Sequence, residues 1–245
     1  MNRPLTIVAL LPTLTNAHGD AENADVAVRR LRWRGLEAQL VRVNSADEWP
    51  EEVDLLVLGG PTDSECVAAA RALQPLKERL VAALEDGVPV LAVAAGWELL
   101  GDGLDLADGT GIAGLGVLPG RGRLRGERIA DDLVVDGGLG RLVGFENHDR
   151  DIVVDAEHDA LGTIVIGHGR GDGREGLVLG NAIATRLHGP VLARNPRLAD
   201  HLLELAVHRR GADLPEADER TAQVDEYARQ TRLRTLRDHR LDDHA

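Results

Sequence analysis

The sequence predicts an α/β protein built on a doubly wound, mostly parallel sheet. Short apolar runs of strand length alternate with longer segments in which apolar residues recur every three or four positions. Glycine or proline closes several of these segments, as expected at the ends of helices and strands. A chain of 245 residues suits one large domain or one domain with an appendage.

The first part of the chain predicts strands and helices in alternation. Strands are expected over residues 6–11, 37–43, 54–58 and 88–93. A first helix is expected over residues 25–36, with its apolar positions set among charged ones. A second helix is expected over residues 64–85, and Gly87 ends it.

The remainder of the chain has a less regular pattern. Residues 101–150 are rich in glycine and predict a loop-dominated region with short strands. Further strands are expected over residues 152–154, 164–166 and 182–185, and helices over residues 196–207 and 219–236. The composition becomes charged and polar after residue 211. We therefore expect one domain over residues 1–210 and a charged helical tail over residues 211–245.

Charge and composition exclude several classes of function. There are 28 Lys and Arg residues against 41 Asp and Glu residues, a formal net charge of −13, which disfavours nucleic acid as a partner. The longest apolar runs are far shorter than the ~18 residues of a membrane span, and no export signal is expected after Met1. Cys66 is the only cysteine, so an internal disulfide and a cysteine-built zinc site are excluded. A cytoplasmic location follows as the default.

The turn after the fourth strand has the pattern of a nucleophile elbow. Small residues from Ala94 onward precede a helix-like stretch that ends near Gly101. Such a turn directs one side chain and several backbone N–H groups into a cleft. Gly59 and Gly60 follow the third strand, and Gly19-Asp20 follows the first.

Two later segments complete a recognisable set of motifs. Residues 144–148 read Gly-Phe-Glu-Asn-His, and residues 187–190 read Leu-His-Gly-Pro. From residue 6 to about residue 205 the chain resembles class I glutamine amidotransferases of the cobyric acid synthase (CobB/CobQ) type. Within that class it is most similar to the GatD-type glutaminase subunits of lipid II isoglutaminyl synthase.

The resemblance implies a fold, a reaction and a partner. The fold is flavodoxin-like, with a pocket at the carboxyl ends of the strands. In this family a cysteine thiolate, activated by a histidine, hydrolyses glutamine without a cofactor or a metal ion. The ammonia passes to a Mur-ligase-like (MurT-type) synthetase, which forms a heterodimer with the glutaminase and amidates D-glutamate of the peptidoglycan stem.

The resemblance also assigns roles to residues of this chain. His188 matches the family's histidine. Gly59, Gly60 and the N–H groups around Ala95 match the cradle that holds the oxyanion. Arg123 matches an arginine that contacts substrate, although a slip in the alignment of this loop would shift the match to Arg125.

Four positions depart from the family pattern. Ala94 stands where the family has the nucleophilic cysteine, Glu98 replaces a glutamine, Arg186 replaces an aromatic residue, and His18 replaces a tyrosine. A methyl group can neither ionise nor attack an amide, so we expect no glutamine hydrolysis. Several coordinated changes favour natural divergence over a single introduced substitution. Glu98 is expected to weaken glutamine binding through like-charge repulsion.

Two functions therefore remain open. The chain is either an amidotransferase subunit that has lost its nucleophile or a noncatalytic descendant that binds a small ligand or stabilises a partner.

Other residues that could carry chemistry receive structural interpretations. Cys66 is expected to be an inert buried thiol, His148 to build a turn with ligand contact as the second option, and Trp97 to serve packing. We expect a solvated loop, not a metal site, at His18, Asp20 and Glu22, and a surface turn, not a phosphate loop, over residues 167–173.

Overall fold

The computed structural model describes residues 3–155 and 157–241, which form two sheets flanked by helices. The strands are β1 (Leu5–Leu10), β2 (Ala38–Val43), β3 (Leu55–Leu58), β4 (Val90–Val93), β5 (Gly103–Asp105), β6 (Gly111–Ile112), β7 (Arg121–Gly137), β8 (Gly140–Val153), β9 (Gly162–Ile166), β10 (Arg174–Glu175), β11 (Leu177–Leu179) and β12 (Ala182–Thr185). The helices are α1 (Asn23–Trp33), α2 (Cys66–Leu73), α3 (Lys77–Glu85), α4 (Ala95–Leu100), α5 (Val191–Arg194), α6 (Pro196–His208) and α7 (Glu219–Asp238).

The main sheet has the predicted doubly wound architecture. Its strand order is β11-β12-β4-β3-β1-β2, and every pairing is parallel except that of β11 with β12. Successive residues of β1 face opposite sides, so Ile7 packs with α1 and α6 while Val8 packs with α2 and α3. Burial on both faces explains why the central strands β3 and β4 are continuous apolar runs in the sequence. The α/β prediction is confirmed.

The helix expected over residues 64–85 is broken in the middle. It divides into α2, a 3-10 turn over Gln74–Leu76, and α3. Pro75 has no backbone N–H and its ring crowds the preceding turn, so it favours the first turn of a new helix over the interior of an existing one. The prediction of one continuous helix was wrong for this reason.

Residues 101–150 are not loop-dominated, which corrects the prediction from their glycine content. β7 and β8 form a long antiparallel hairpin in a second sheet of order β10-β9-β7-β5-β6, with β8 paired to β7. Alternate positions of β8 are buried, and they include the polar residues Glu146, His148 and Arg150. The hairpin lacks an apolar alternation because its inner face carries polar side chains, and two of these, His148 and Arg150, line the cavity described below.

The carboxyl-terminal helix α7 packs on the body of the chain. Leu236 is buried against Val134 of β7 and Val143 of β8. Arg30 of α1 forms an ion pair with Asp225 of α7, with 2.5 Å between Nη1 and Oδ1. Among the described residues, no helix combines the length and the apolar character that crossing a membrane would require.

Candidate active site at the carboxyl ends of the strands

The turn between β4 and α4 has the backbone of a nucleophile elbow. Ala94 has φ +49° and ψ −121°, a region that residues other than glycine rarely adopt. Its N–H donates to the carbonyl oxygen of Thr185 at 2.8 Å, and its own carbonyl oxygen accepts from the N–H of Trp97 at 2.9 Å. The elbow is therefore held from both sides, although the side chain that it presents is a methyl group.

Close backbone contacts bring the neighbouring turns to this elbow. A Cβ atom on Gly96 would lie 2.4 Å from the carbonyl oxygen of Gly59, and one on Gly59 would lie 2.0 Å from the carbonyl oxygen of Thr15. A Cβ atom on Gly60 would lie 3.5 Å from the Cβ atom of Ala94. Glycine is thus required at residues 59 and 96 for the turns after β1, β3 and β4 to meet.

His188 follows β12 and is held by a buried carboxylate, that of Asp20. The distance between His188 Nδ1 and Asp20 Oδ2 is 3.1 Å. Asp20 also accepts hydrogen bonds from the N–H of Gly60 at 3.1 Å and from the N–H of Gly189 at 2.7 Å. Each oxygen of Asp20 already accepts from a backbone N–H, so His188 Nδ1 is placed to donate to this carboxylate. The other ring nitrogen, Nε2, is buried and has no hydrogen-bond partner among the described residues.

Asp20 was expected to lie in a solvated loop, and this prediction was wrong. Its side chain is fully buried because it connects the turn after β1 to those after β3 and β12. This role also changes the expectation for Gly60, whose N–H donates to Asp20 and is not available to an oxyanion in this arrangement. Ala95, the first residue of α4, lines the cavity beside the elbow.

A cavity of about 350 Å³ opens at the elbow, within the size range of small-molecule sites. Ala94, Ala95, Arg186 and His188 line it. Trp97 does not, because its side chain is fully buried and Nε1 donates to the carbonyl oxygen of Pro119 at 2.9 Å. The other lining residues are Ala17, His18, Pro61, Thr62, Asp63, Ser64, Arg128, Asn147, His148, Asp149 and Arg150.

None of the arginines that line this cavity is the one that the motif alignment selected. Arg123 pairs with Asp105, with 3.1 Å between Nη1 and Oδ2, and it does not line the cavity. Arg125 pairs with a different carboxylate, that of Asp151. Arg128 does line the cavity, and its Nε donates to Asn147 Oδ1 at 2.8 Å. The strand register shifts between residues 124 and 129, and a sequence pattern cannot reveal such a shift.

His148 lies within β8, so the expectation that it builds a turn was wrong. Its Nε2 is 2.9 Å from Glu146 Oε2, and Glu146 also accepts from the backbone N–H groups of His168 and Gly169. Burial lowers the pKa of His148 and outweighs the opposing effect of Glu146. The segment over residues 167–173 is partly buried, since Gly169 and Arg170 are covered, so it is more than a surface turn.

The comparison with protein families agrees with this geometry. Residues 8–196 match the model of the CobB/CobQ-like glutamine amidotransferase domain. The chain belongs to this amidotransferase family.

Two curated relatives are similar to this amidotransferase over most of their length. The chain is 33% identical over 211 residues to the lipid II isoglutaminyl synthase (glutamine-hydrolyzing) subunit GatD of Staphylococcus aureus (strain N315), covering 84% of this chain and 86% of the relative. It is 29% identical over 218 residues to the subunit of the same name from Streptococcus pneumoniae (strain ATCC BAA-255 / R6), covering 86% of this chain and 84% of the relative.

Solved structures support the fold of the amidotransferase. A crystal structure of a glutamine amidotransferase matches with a TM-score of 0.55 and 23% identity, covering 82% of this chain and 98% of the other. The structure of PurLQS from Thermotoga maritima matches with a TM-score of 0.55 and 15% identity, covering 86% and 100%. The predicted flavodoxin-like class I architecture is confirmed.

Glu98 of the amidotransferase is buried within a cluster of charges. Its Oε2 lies 2.9 Å from Arg150 Nε, and its Oε1 lies 2.9 Å from Arg186 Nη2. Burial alone would lower the pKa of Arg150, but the charges of Glu98 and Asp63 outweigh it and raise that pKa. The expectation that Glu98 repels a carboxylate ligand was based on an uncompensated negative charge. It was wrong on that point, because two arginines neutralise Glu98.

Cys66 offers no substitute nucleophile to the amidotransferase. Its side chain is fully buried at the start of α2 and does not line the cavity. Burial raises the pKa of the Cys66 thiol to about 12. A thiol with this pKa is protonated at neutral pH and is a poor nucleophile. Within residues 3–155 and 157–241, no group of three or more His, Cys, Asp or Glu side chains could hold a metal ion.

Proposed function

We propose that this chain is a GatD-type subunit that pairs with a Mur-ligase-like (MurT-type) synthetase in the amidation of lipid II, and that it has lost the glutaminase step. The likeness to the two GatD subunits over more than four fifths of each chain supports the assignment to lipid II amidation. The proposal includes the cytoplasmic location expected from the sequence and an amidotransferase domain over residues 1–210 followed by the helical segment over residues 211–245.

The observation that carries the proposed loss is the methyl group at the elbow. The strained turn, the Asp20–His188 pair and the cavity are all present, yet Ala94 offers no atom that could attack a carboxamide carbon. Covalent catalysis needs a thiolate or an alkoxide at this position. Without one, His188 has no thiol to deprotonate and no acyl-enzyme forms.

The arginine that contacts the α-carboxylate of an amino acid ligand is proposed to be Arg128 in place of Arg123. Support comes from its position, since Arg128 lines the cavity whereas Arg123 pairs with Asp105 outside it. Guanidinium groups suit carboxylates because they offer several N–H donors in one plane.

The second candidate is a noncatalytic descendant that binds a small ligand reversibly. One observation favours it. The buried Glu98, Arg150 and Arg186 cluster lies beside an open cavity, so the site has a charge arrangement of its own and is not merely a decayed catalytic centre.

The test of the main proposal is association with the synthetase. The chain is co-expressed with the Mur-ligase-like protein of its own source, and the mass of the purified species is measured by light scattering. We expect a one-to-one complex. A chain that purifies alone, and does not change the amidation of lipid II by the synthetase with ammonia as nitrogen donor, would favour the ligand-binding candidate.

A further inference from the structure

A second cavity, separate from the one at the elbow, lies between α7, the start of α6 and the turn of the β7–β8 hairpin. Its volume is about 440 Å³, within the size range of small-molecule sites, and it shares no lining residue with the elbow cavity. The function proposed above makes no use of this cavity. Its charged lining residues are Arg141, Arg197, Arg229, Arg232, Asp225 and Glu226.

The charge of this cavity is positive, although the chain as a whole is acidic. Four of its lining residues are arginines and two are carboxylates, an excess of two positive charges in a chain with a net charge of −13. One of the two carboxylates is also held from outside the cavity, because Asp225 Oδ1 lies 2.5 Å from Nη1 of the buried Arg30. The cavity therefore provides a local positive field, which attracts anions.

The fold positions Arg197 at this cavity without giving it a carboxylate. A Cβ atom on Gly140, at the start of β8, would lie 2.9 Å from Arg197 Nη1, so glycine leaves room for the guanidinium group over the hairpin turn. Asn195 fixes the start of α6 against β8, since its Nδ2 donates to the Val143 carbonyl oxygen at 3.0 Å. Among residues 3–155 and 157–241, no Asp or Glu side chain forms an ion pair with Arg197.

The other three arginines are held in place by contacts of their own. Arg141 Nε lies 2.6 Å from Asp136 Oδ1, and Arg229 Nε lies 2.7 Å from Glu226 Oε2. Arg232 Nη1 donates to a backbone carbonyl oxygen of α5 at 3.1 Å. These contacts orient the three guanidinium groups, which remain as positive charges on the wall of the cavity.

A phosphate monoester suits this cavity better than a carboxylate does. It carries a charge of roughly −1.5 to −2 at pH 7 and three terminal oxygens, whereas a carboxylate carries one charge and two oxygens. Guanidinium groups bind phosphate oxygens through pairs of N–H donors. Leu139, Leu142 and Pro196 also line the cavity, and they offer apolar contact to an organic group on the phosphate.

We propose that the cavity between α6, α7 and the β7–β8 turn binds a phosphate monoester of a small organic molecule, and that Arg197 contacts the phosphate group. The inference goes beyond the proposed function and does not depend on it, because the two cavities have different lining residues. The net charge of −13 opposes approach to an anionic membrane, so the phosphate is assigned to a soluble compound and not to a lipid headgroup.

The test is calorimetric titration of the full chain with phenyl phosphate and with benzoate, which share an aromatic ring and differ in their anionic group. We expect phenyl phosphate to bind at least about tenfold more tightly than benzoate, and more tightly than inorganic phosphate, which has no organic group. The preference over benzoate should shrink at pH 5, because the second pKa of a phosphate monoester is about 6 and the ligand then carries a single charge.

Variants of Arg197 assign the binding to this cavity. Arg197→Gln should weaken phenyl phosphate binding about tenfold, and Arg197→Glu should abolish it. The matched control is Arg234→Gln, which makes the same change of charge at an exposed position of α7 that does not line the cavity. It should change the affinity by less than about twofold, since solvent screens an exposed charge. Thermal unfolding verifies that each variant is folded.

Three results would overturn the inference: equal affinity for phenyl phosphate and benzoate, no binding of phenyl phosphate in the millimolar range, or equal losses in Arg197→Gln and Arg234→Gln. Sedimentation with phosphatidylcholine vesicles that contain phosphatidic acid tests the source of the phosphate. Binding to them that Arg197→Glu abolishes would overturn the assignment to a soluble compound. Association with the synthetase is measured separately, so failure of the proposed function would leave the titration unchanged.

Discussion

The buried pair of Glu98 and Arg186 is expected to be strongly coupled. Glu98 is fully buried and the Arg186 side chain is 1% exposed, so each charge depends on the other for compensation. Glu98→Gln keeps the shape but leaves Arg186 without this carboxylate, and it should cost about 3–5 kcal/mol of the free energy of unfolding. Arg186→Phe leaves Glu98 with Arg150 alone and removes the hydrogen bond from Arg186 Nη2 to the Arg150 carbonyl oxygen, so about 3 kcal/mol is expected.

The double variant completes a double-mutant cycle, which measures the coupling between Glu98 and Arg186. Glu98→Gln with Arg186→Phe removes both charges at once, and the remaining Arg150 keeps its ion pairs with Asp63 and Asp149. Its cost should be smaller than the sum of the two single costs by about 2–3 kcal/mol. Urea unfolding followed by far-UV circular dichroism measures each free energy by linear extrapolation.

An exposed ion pair supplies the matched control. Arg42 and Asp25 lie 3.3 Å apart between Nη2 and Oδ2, with side chains 58% and 44% exposed. Solvent screens this pair, so the same cycle should give a coupling below about 1 kcal/mol that disappears in concentrated salt. Additive costs for Glu98 and Arg186, to within about 0.5 kcal/mol, would refute the charge compensation described for Glu98.

Two further predictions concern the elbow and the lone thiol. Ala94→Gly should change the free energy of unfolding by less than about 0.5 kcal/mol, because relief of the strain at positive φ offsets the lost methyl group and the added entropy of the unfolded chain. Ala95→Gly, in helix α4, has no such relief and should lower the free energy of unfolding by about 1–2 kcal/mol. Equal losses in urea unfolding would contradict the strain at residue 94. Because the pKa of Cys66 is raised to about 12, its thiol should stay protonated at pH 8 and react with a disulfide reagent only after unfolding. Rapid labelling of the folded chain would contradict this.

The main sheet could be predicted from the sequence because its strands are buried on both faces. Residues 7–10 and 90–93 are continuous apolar runs, and that pattern is typical of buried parallel strands. The β7–β8 hairpin could not be predicted in the same way. Its buried positions include Glu146 and His148, polar residues that pair with each other inside the fold, so no apolar alternation marks the strand.

The candidate site was predicted in part. Motif order identified Ala94 and His188, which do line one cavity. The carboxylate of Asp20 was missed because its burial depends on contacts with residues 60 and 189, which only the folded chain brings together. That Arg128 lines the cavity and Arg123 does not could not be predicted from the motif, because the register of β7 shifts between residues 124 and 129. The compensation of Glu98 depends on an arginine 52 positions away.

Release of glutamate from L-glutamine by the purified chain tests the central claim most directly. The measurement is made with and without the synthetase, on the unaltered chain, on His188→Ala and on Ala94→Cys. We expect the unaltered chain to match the His188→Ala background in both conditions, because residue 94 supplies no attacking atom. Glutamate release by the unaltered chain that His188→Ala abolishes would contradict the account, whatever the activity of Ala94→Cys.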